Sequence, residues 1–338
     1  MKLRIATRKS ALALAQTTMA ADAIVAANFV ANSAERGKCA AVGDDSLTYE
    51  LVSMTTEGDR RLDKSLASFG GKGVFIKELE IALLENRADI AIHSLKDMPA
   101  EVLPQFKLAA VLKREDPRDA FLSRGGDAGV RFMDLPAGAR VGTGSIRRIV
   151  QLKALRPDIE YVPIRGNIQT RIGKLAELDG VVLAAAGLNR MGLADQVTEY
   201  FSTEQVLPAS GQGILAIETL ADADSRHPEP RERSSEISGN LAQILARANH
   251  VETFCIASAE MAYLKALNAG CQFPVASFAE FVCETAENLK IRGIYWDEKS
   301  EKLLRAEVAG TVDLSSADSV KQSKELGVAL AQEIKNQL

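Results

Sequence analysis

The 338-residue chain has little of what usually places a protein at sight. Cysteine is scarce: Cys39, Cys255, Cys271 and Cys283 stand at spacings that match no zinc site, and no metal is expected. Without an export signal at the N-terminus, they read as reduced thiols, and a cytoplasmic location is expected. Basic residues are not in excess, with 41 Lys and Arg against 45 Asp and Glu, which excludes a general nucleic-acid binder. No run approaches roughly eighteen uninterrupted apolar residues, so no membrane span is expected. There is no internal sequence repeat, and two glycine signatures are incomplete. In VGTGSIRR, residues 141–148, Arg147 holds the place of the third glycine of a dinucleotide fingerprint, and no Gly-Lys-Ser/Thr follows to make a phosphate loop. A nucleotide-dependent dehydrogenase is therefore a weak rival reading.

What is present is an ordinary globular composition, 46% hydrophobic and 25% charged, in a chain long enough for two or three domains. Short apolar segments alternate with helical ones. Leu3–Arg8, Tyr49–Met54, Ala88–Ser94 and Phe106–Leu112 read as strands, and Ala11–Phe29 and Ile76–Asn86 as helices. After the polar break Glu115–Asp119 a second set follows. Arg140–Gly142, Glu160–Ile164 and Val181–Ala186 are its strands, and Ile146–Leu155 and Ile168–Leu178 its helices. This rhythm predicts an α/β fold of mixed sheets covered by helices. Residues 221–236 read as a polar connection. Beyond them a long helix, three strands and a terminal helix predict a small C-terminal α+β domain.

The chemistry concentrates at predicted strand ends, where α/β sheets bind ligands. Arg147 and Arg148 fall in the first turn of a helix, where the dipole disfavours cations by a few tenths to about 1 kcal/mol each. Something negative should sit beside them. Residues 142–174 hold seven basic side chains against Asp158 and Glu160. Arg8, Arg165, Arg171 and Arg190 also fall at or near strand ends, and planar guanidinium groups suit carboxylates. A single such arginine would be an ordinary surface group; five converging, Arg147, Arg148, Arg165, Arg171 and Arg190, point to a ligand with several carboxylates. HSLKDMP, residues 93–99, places Lys96 and Asp97 just past a buried strand, with His93 a structural hydrogen-bonding residue. Cys271, between Gly270 and Pro274, stands at a tight turn that permits a covalent role; the other three cysteines look structural.

In order, RIATRKSALALAQ, GGKGVFIKELE, ENRADIAIHSLKDMP, REDPRDAF, VGTGSIRR, PIRGNIQTR, LAAAGLNRMG, LPASGQG and AGCQFPV closely resemble the porphobilinogen deaminase (hydroxymethylbilane synthase) family, from about Leu3 to about Val275. The resemblance implies two lobes like those of periplasmic binding proteins, plus a small third domain. Its expected boundaries are residues 1–114 with 212–236, residues 115–211, and residues 237–338. It also implies a dipyrromethane cofactor on Cys271, to which four porphobilinogen units are joined with loss of ammonia. Asp97 then matches the catalytic aspartate. Cys271, Lys96, Asp97, Thr143, Ser145, Arg147, Arg148, Arg171 and Arg190 match cofactor-binding positions. Arg8, Ser10, Arg165, Arg171, Arg190, Lys72 and Phe75 match substrate-binding positions, the last two near a lid over residues 58–73. A soluble monomer with no nucleic-acid or membrane partner is implied. Ala11, Met261, Ala276 and an insertion at Ala27–Thr48 depart from the family pattern. The alternative is a two-lobed carboxylate-binding protein without catalytic activity.

Overall fold

The computed structural model describes residues 1–36, 47–56, 76–221, 234–269, 273–282 and 287–338. The first lobe is a five-stranded sheet of Lys2–Arg8 (β1), Thr48–Met54 (β2), Ile90–Ser94 (β3), Phe106–Val111 (β4) and Leu215–Leu220 (β10), in the order β2-β1-β3-β10-β4. The second contains Asp119–Ser123 (β5), Arg140–Gly142 (β6), Glu160–Val162 (β7), Gly180–Ala184 (β8) and Glu199–Tyr200 (β9), in the order β7-β6-β8-β5-β9. Both orders follow one plan. In each lobe a single strand runs antiparallel to its neighbours, β10 in the first and β5 in the second. Each is the strand the chain lays down just after crossing from the other lobe. The lobes thus repeat in structure although not in sequence.

The inner strands are buried on both faces, as helix-covered strands must be, so β3 is buried without alternation from Ile90 to His93 and β8 from Gly180 to Leu183. The helix Ala11–Arg36 covers one face of the first sheet with Ala20, Ala21 and Ile24, all fully buried. Its Ala11–Ala31 stretch is long and apolar enough to cross a membrane by composition, yet this face belongs to the core beside Leu3, Ile5 and Ile90. In the second lobe, Phe132 meets Phe121 and Phe201 edge to face at centroid distances of 5.6 and 5.2 Å.

Four sequence expectations change. The first helix continues to Arg36, through the start of the expected insertion. The polar break ends in β5, whose Asp119 pairs with Ala184 in the sheet. The strand ending at β8 stops at Ala184, and Arg190 closes a short helix, Ala185–Arg190. Ser234–Ala248 is helical, with Leu241, Ile244 and Leu245 packed into the first lobe's core.

The C-terminal unit is an antiparallel sheet of Val275–Phe281 (β11), Asn288–Asp297 (β12) and Lys302–Thr311 (β13), backed by the helices Val251–Ala266 and Ser319–Lys335. Its core is continuous with Leu95, Met98, Val111 and Ile214 of the first lobe. One buried ion pair ties the units together: Arg114 Nη1 lies 2.7 Å from Glu260 Oε1, and Glu260 also accepts from the backbone N–H groups of Gly211 and Ala279. The two helices touch at Gly327, where a Cβ would lie 2.1 Å from the carbonyl oxygen of Ala259. Gly327→Ala is expected to lower stability by about 1–3 kcal/mol, because backbone cannot yield as a side chain can. Urea unfolding measures it as a lower midpoint at unchanged slope.

Candidate active site

The turn Leu95–Asp97 follows β3 directly. Leu95 and Met98 are buried beneath it, so the two polar residues between them are directed outward, Lys96 partly covered and Asp97 exposed. His93 is the structural residue expected: its Nε2 lies 3.0 Å from Glu218 Oε2, and both side chains are buried.

Across the cleft, the helix Ile146–Leu155 begins at Ser145, whose hydroxyl accepts from the backbone N–H of Arg148. Thr143, fully buried, accepts from the N–H of Ser145 through its Oγ1 at 3.3 Å. Arg147 and Arg148 follow in the first turn at only 5% and 6% exposure. The negative partner their position demands is supplied by the chain itself. Asp119, fully buried at the start of β5, places Oδ2 2.7 Å from Arg147 Nη1 and Oδ1 2.7 Å from Arg148 Nη2. Burial opposes ionisation of Asp119, but the two guanidinium groups outweigh it and hold the carboxyl well below its usual range. Carbonyl oxygens complete the cage: Leu207 accepts from Arg147 at 2.6 Å and Val182 from Arg148 at 2.9 Å. Arg148 Nε, also buried, has no hydrogen-bond partner among the described residues.

Lys96 reaches toward the same cage. Burial pushes its ammonium down to about 8; Arg148 and Arg147 add to the fall, while Asp97 and Asp119 oppose it. Arg171, in the helix Ile168–Gly173, donates through Nε to the Gly166 carbonyl at 2.8 Å. Burial lowers its pKa, with Arg148 and Arg165 adding to the fall and Asp97 opposing it. Lys96, Asp97, Arg147, Arg148, Arg165 and Arg171 are therefore one electrostatic neighbourhood, and Asp97 and Arg165 are its exposed members.

Arg190 lies at the edge, where the chain crosses between lobes. It donates to the Gly213 carbonyl at 2.6 Å, and burial pushes it down to about 10 against the pull of Glu115. Arg8 ends β1, and Ser10 caps the next helix, its Oγ accepting from Ala13 N at 3.3 Å. This helix start faces Ala185–Arg190, since Leu12 stands 4.0 Å from where a Cβ of Gly187 would be. Cys271, Lys72 and Phe75, and with them the expected lid, lie outside the described residues. Asp119 and Gln212 are the participants that sequence reasoning missed, although REDPRDAF and LPASGQG contain them.

Two mixed-sheet lobes with a cluster of cations and carboxylates where they meet, braced by a third unit, define a two-lobed α/β protein. The chain belongs to the porphobilinogen deaminase family. Residues 3–228 match the model described as porphobilinogen deaminase, dipyromethane cofactor binding domain, and residues 254–336 match its C-terminal domain. It is 42% identical over 336 residues to the porphobilinogen deaminase of Syntrophus aciditrophicus, covering 98% of this chain and 94% of that one. With the enzyme of Clostridium kluyveri the identity is 43% over 312 residues, covering 92% and 93%. A solved periplasmic VFT2 domain of BvgS from Bordetella pertussis is a loose likeness, with 14% identity and a TM-score of 0.34 over 77% of this chain and 90% of that one.

Proposed function

We propose that this chain joins four porphobilinogen molecules head to tail into the linear tetrapyrrole hydroxymethylbilane, starting from a dipyrromethane attached to Cys271. The observation that carries the reading is the Asp119–Arg147–Arg148 cage beside Lys96 and the exposed Asp97. Four cations, with Arg171, meet two carboxylates there, and one buried guanidinium N–H is left without an acceptor. That surplus fits a dipyrromethane, because each of its pyrroles carries an acetate and a propionate.

Bound to the chain, the dipyrromethane supplies a pyrrole carbon to which the first substrate unit is joined. The protein's own part is positioning and charge. Lys96, Thr143, Ser145, Arg147, Arg148, Arg171 and Arg190 hold carboxylates of the growing chain, and Arg8, Ser10, Arg165, Arg171, Arg190, Lys72 and Phe75 serve the incoming porphobilinogen. Its aminomethyl group is already an ammonium near neutral pH, so the C–N bond breaks to release ammonia with little acid assistance. The methylene left on the substrate ring is cationic. Asp97 stabilises that charge and accepts the pyrrole N–H, the electrostatic contribution of a carboxylate fixed where positive charge develops. A C–C bond then forms, and the attacking ring carbon loses its proton.

The domain division we propose is 1–114 with 212–248, 115–211, and 249–338. The last break moves from 236 because the helix Ser234–Ala248 buries its apolar face in the first lobe. We further assign the chain as a cytoplasmic monomer with no nucleic-acid or membrane partner. Mass spectrometry of the purified protein tests the function: an adduct of two porphobilinogen units less their ammonia is expected on Cys271, with Ehrlich's reagent colouring the chain. An unmodified chain that binds porphobilinogen without releasing ammonia would instead make it a carboxylate-binding protein.

A further inference from the structure

Gln212 has no exposure to solvent, so its amide must find partners inside the protein. It finds them on both walls of the cleft. Its Oε1 accepts from Lys96 Nζ at 3.2 Å, and its Nε2 donates to Asp119 Oδ1 at 2.9 Å and to the Pro117 carbonyl at 2.7 Å. The orientation of the amide is fixed by chemistry, because an ammonium only donates while a carbonyl and a carboxylate only accept. Its backbone is held as well, for the Gln212 carbonyl accepts from Arg114 Nε at 2.9 Å. Gly211 brings the turn close: its φ is +74°, and a Cβ there would lie 2.8 Å from Leu95 Cγ and 3.0 Å from Lys96 N. Residues 112–118 and 207–214 are the two crossings between lobes, and Gln212 stands on one and bonds to the other.

We infer that Gln212 is a positioning residue that joins the two walls of the cleft, one amide holding the Lys96 ammonium of the first lobe and the Asp119 carboxylate of the second. The cation that faces the ligand and the carboxylate that anchors Arg147 and Arg148 are thereby kept in register. The inference rests on the cleft's reading as the active site. Lys96 is faced by Asp97 on its own turn, by Asp119 from β5, and by Arg147 and Arg148 from the helix Ile146–Leu155. Among these groups the Gln212 oxygen is a neutral acceptor that favours the charged amine. Losing it must lower the Lys96 midpoint, and replacing it by a carboxylate must raise it.

The test uses the full-length chain with ¹³C-labelled lysine. The Lys96 Cε resonance is identified by its absence in Lys96→Arg and followed through a pH titration of the wild type, Gln212→Met and Gln212→Glu. The Met variant is expected to titrate about half a unit or more below wild type and the Glu variant about as far above it, with the alkaline limb of kcat/KM moving in step. Near-UV circular dichroism identifies folded variants, and Gln212→Glu keeps the side chain's size if the Met variant does not fold. A folded variant whose Lys96 midpoint coincides with wild type overturns the inference. Displaced midpoints in a chain that carries no pigment and releases no ammonia support the positioning role and sink the enzyme reading instead.

Discussion

Asp119→Asn is expected to lower the unfolding free energy by about 3–5 kcal/mol at neutral pH, because two buried guanidinium groups then lose their counter-charge. Asparagine keeps the shape and can still accept from Gln212, so the loss isolates charge from packing. Arg147 and Arg148 cannot discharge themselves, since arginine stays protonated at any working pH. The pH dependence follows from the direction of the shift. Asp119 is held below its ordinary value in the folded chain, so its contribution is complete above the unfolded value of about 3.9 and is lost as pH falls through the folded one. The gap between wild type and variant should therefore be constant from about pH 8 to pH 5 and close only in strong acid. Urea unfolding of both proteins across that range measures it. A loss under about 1 kcal/mol at neutral pH would mean that the arginines find their counter-charge elsewhere.

Asp97→Asn is expected to do the reverse, leaving stability within about 0.5 kcal/mol while reducing kcat about 100- to 1,000-fold. The carboxylate is exposed, and the turn that carries it is held by Leu95 and Met98 on either side, so the fold does not depend on its charge. Only the developing cation on the substrate does. Steady-state ammonia release, with Ehrlich's colour reporting retention of the dipyrromethane, separates the two effects. A coloured variant with near-native kcat would remove Asp97 from the chemistry.

Most of the cleft's cations were legible because each sits in a motif with a local signature, a strand end followed by a glycine or a helix cap. Asp119 and Gln212 had none. Asp119 closes a charged stretch, REDPRD, that reads as solvated surface; only pairing of β5 with β8, some sixty residues later in the chain, buries it. Gln212 is an uncharged residue in a glycine turn, and its partners Lys96 and Asp119 are 116 and 93 positions away. The helix Ser234–Ala248 escaped because the polar run before it resembles a linker, while its apolar face answers to Leu3 and Ile5 at the other end of the chain. The apolar run Val181–Ala186 reads as one strand that brings Arg190 near its end; the sheet ends at Ala184 and the remainder coils into a single short helix. Local chemistry is written locally. The groups that neutralise and align it are contributed by sheet neighbours distant in sequence.

The placement of β10 between β3 and β4 bears on how the protein is born. As the chain leaves the ribosome, β1, β3 and β4 emerge early, yet the slot between β3 and β4 stays vacant until the whole second lobe has been translated. The second lobe receives its own inserted strand first, so it can close as a unit while its elder neighbour waits with two open edges. Synthesis order and completion order are thus inverted, and a nascent chain stalled before Leu215 exposes just those edges to whatever chaperone or stray strand meets them first.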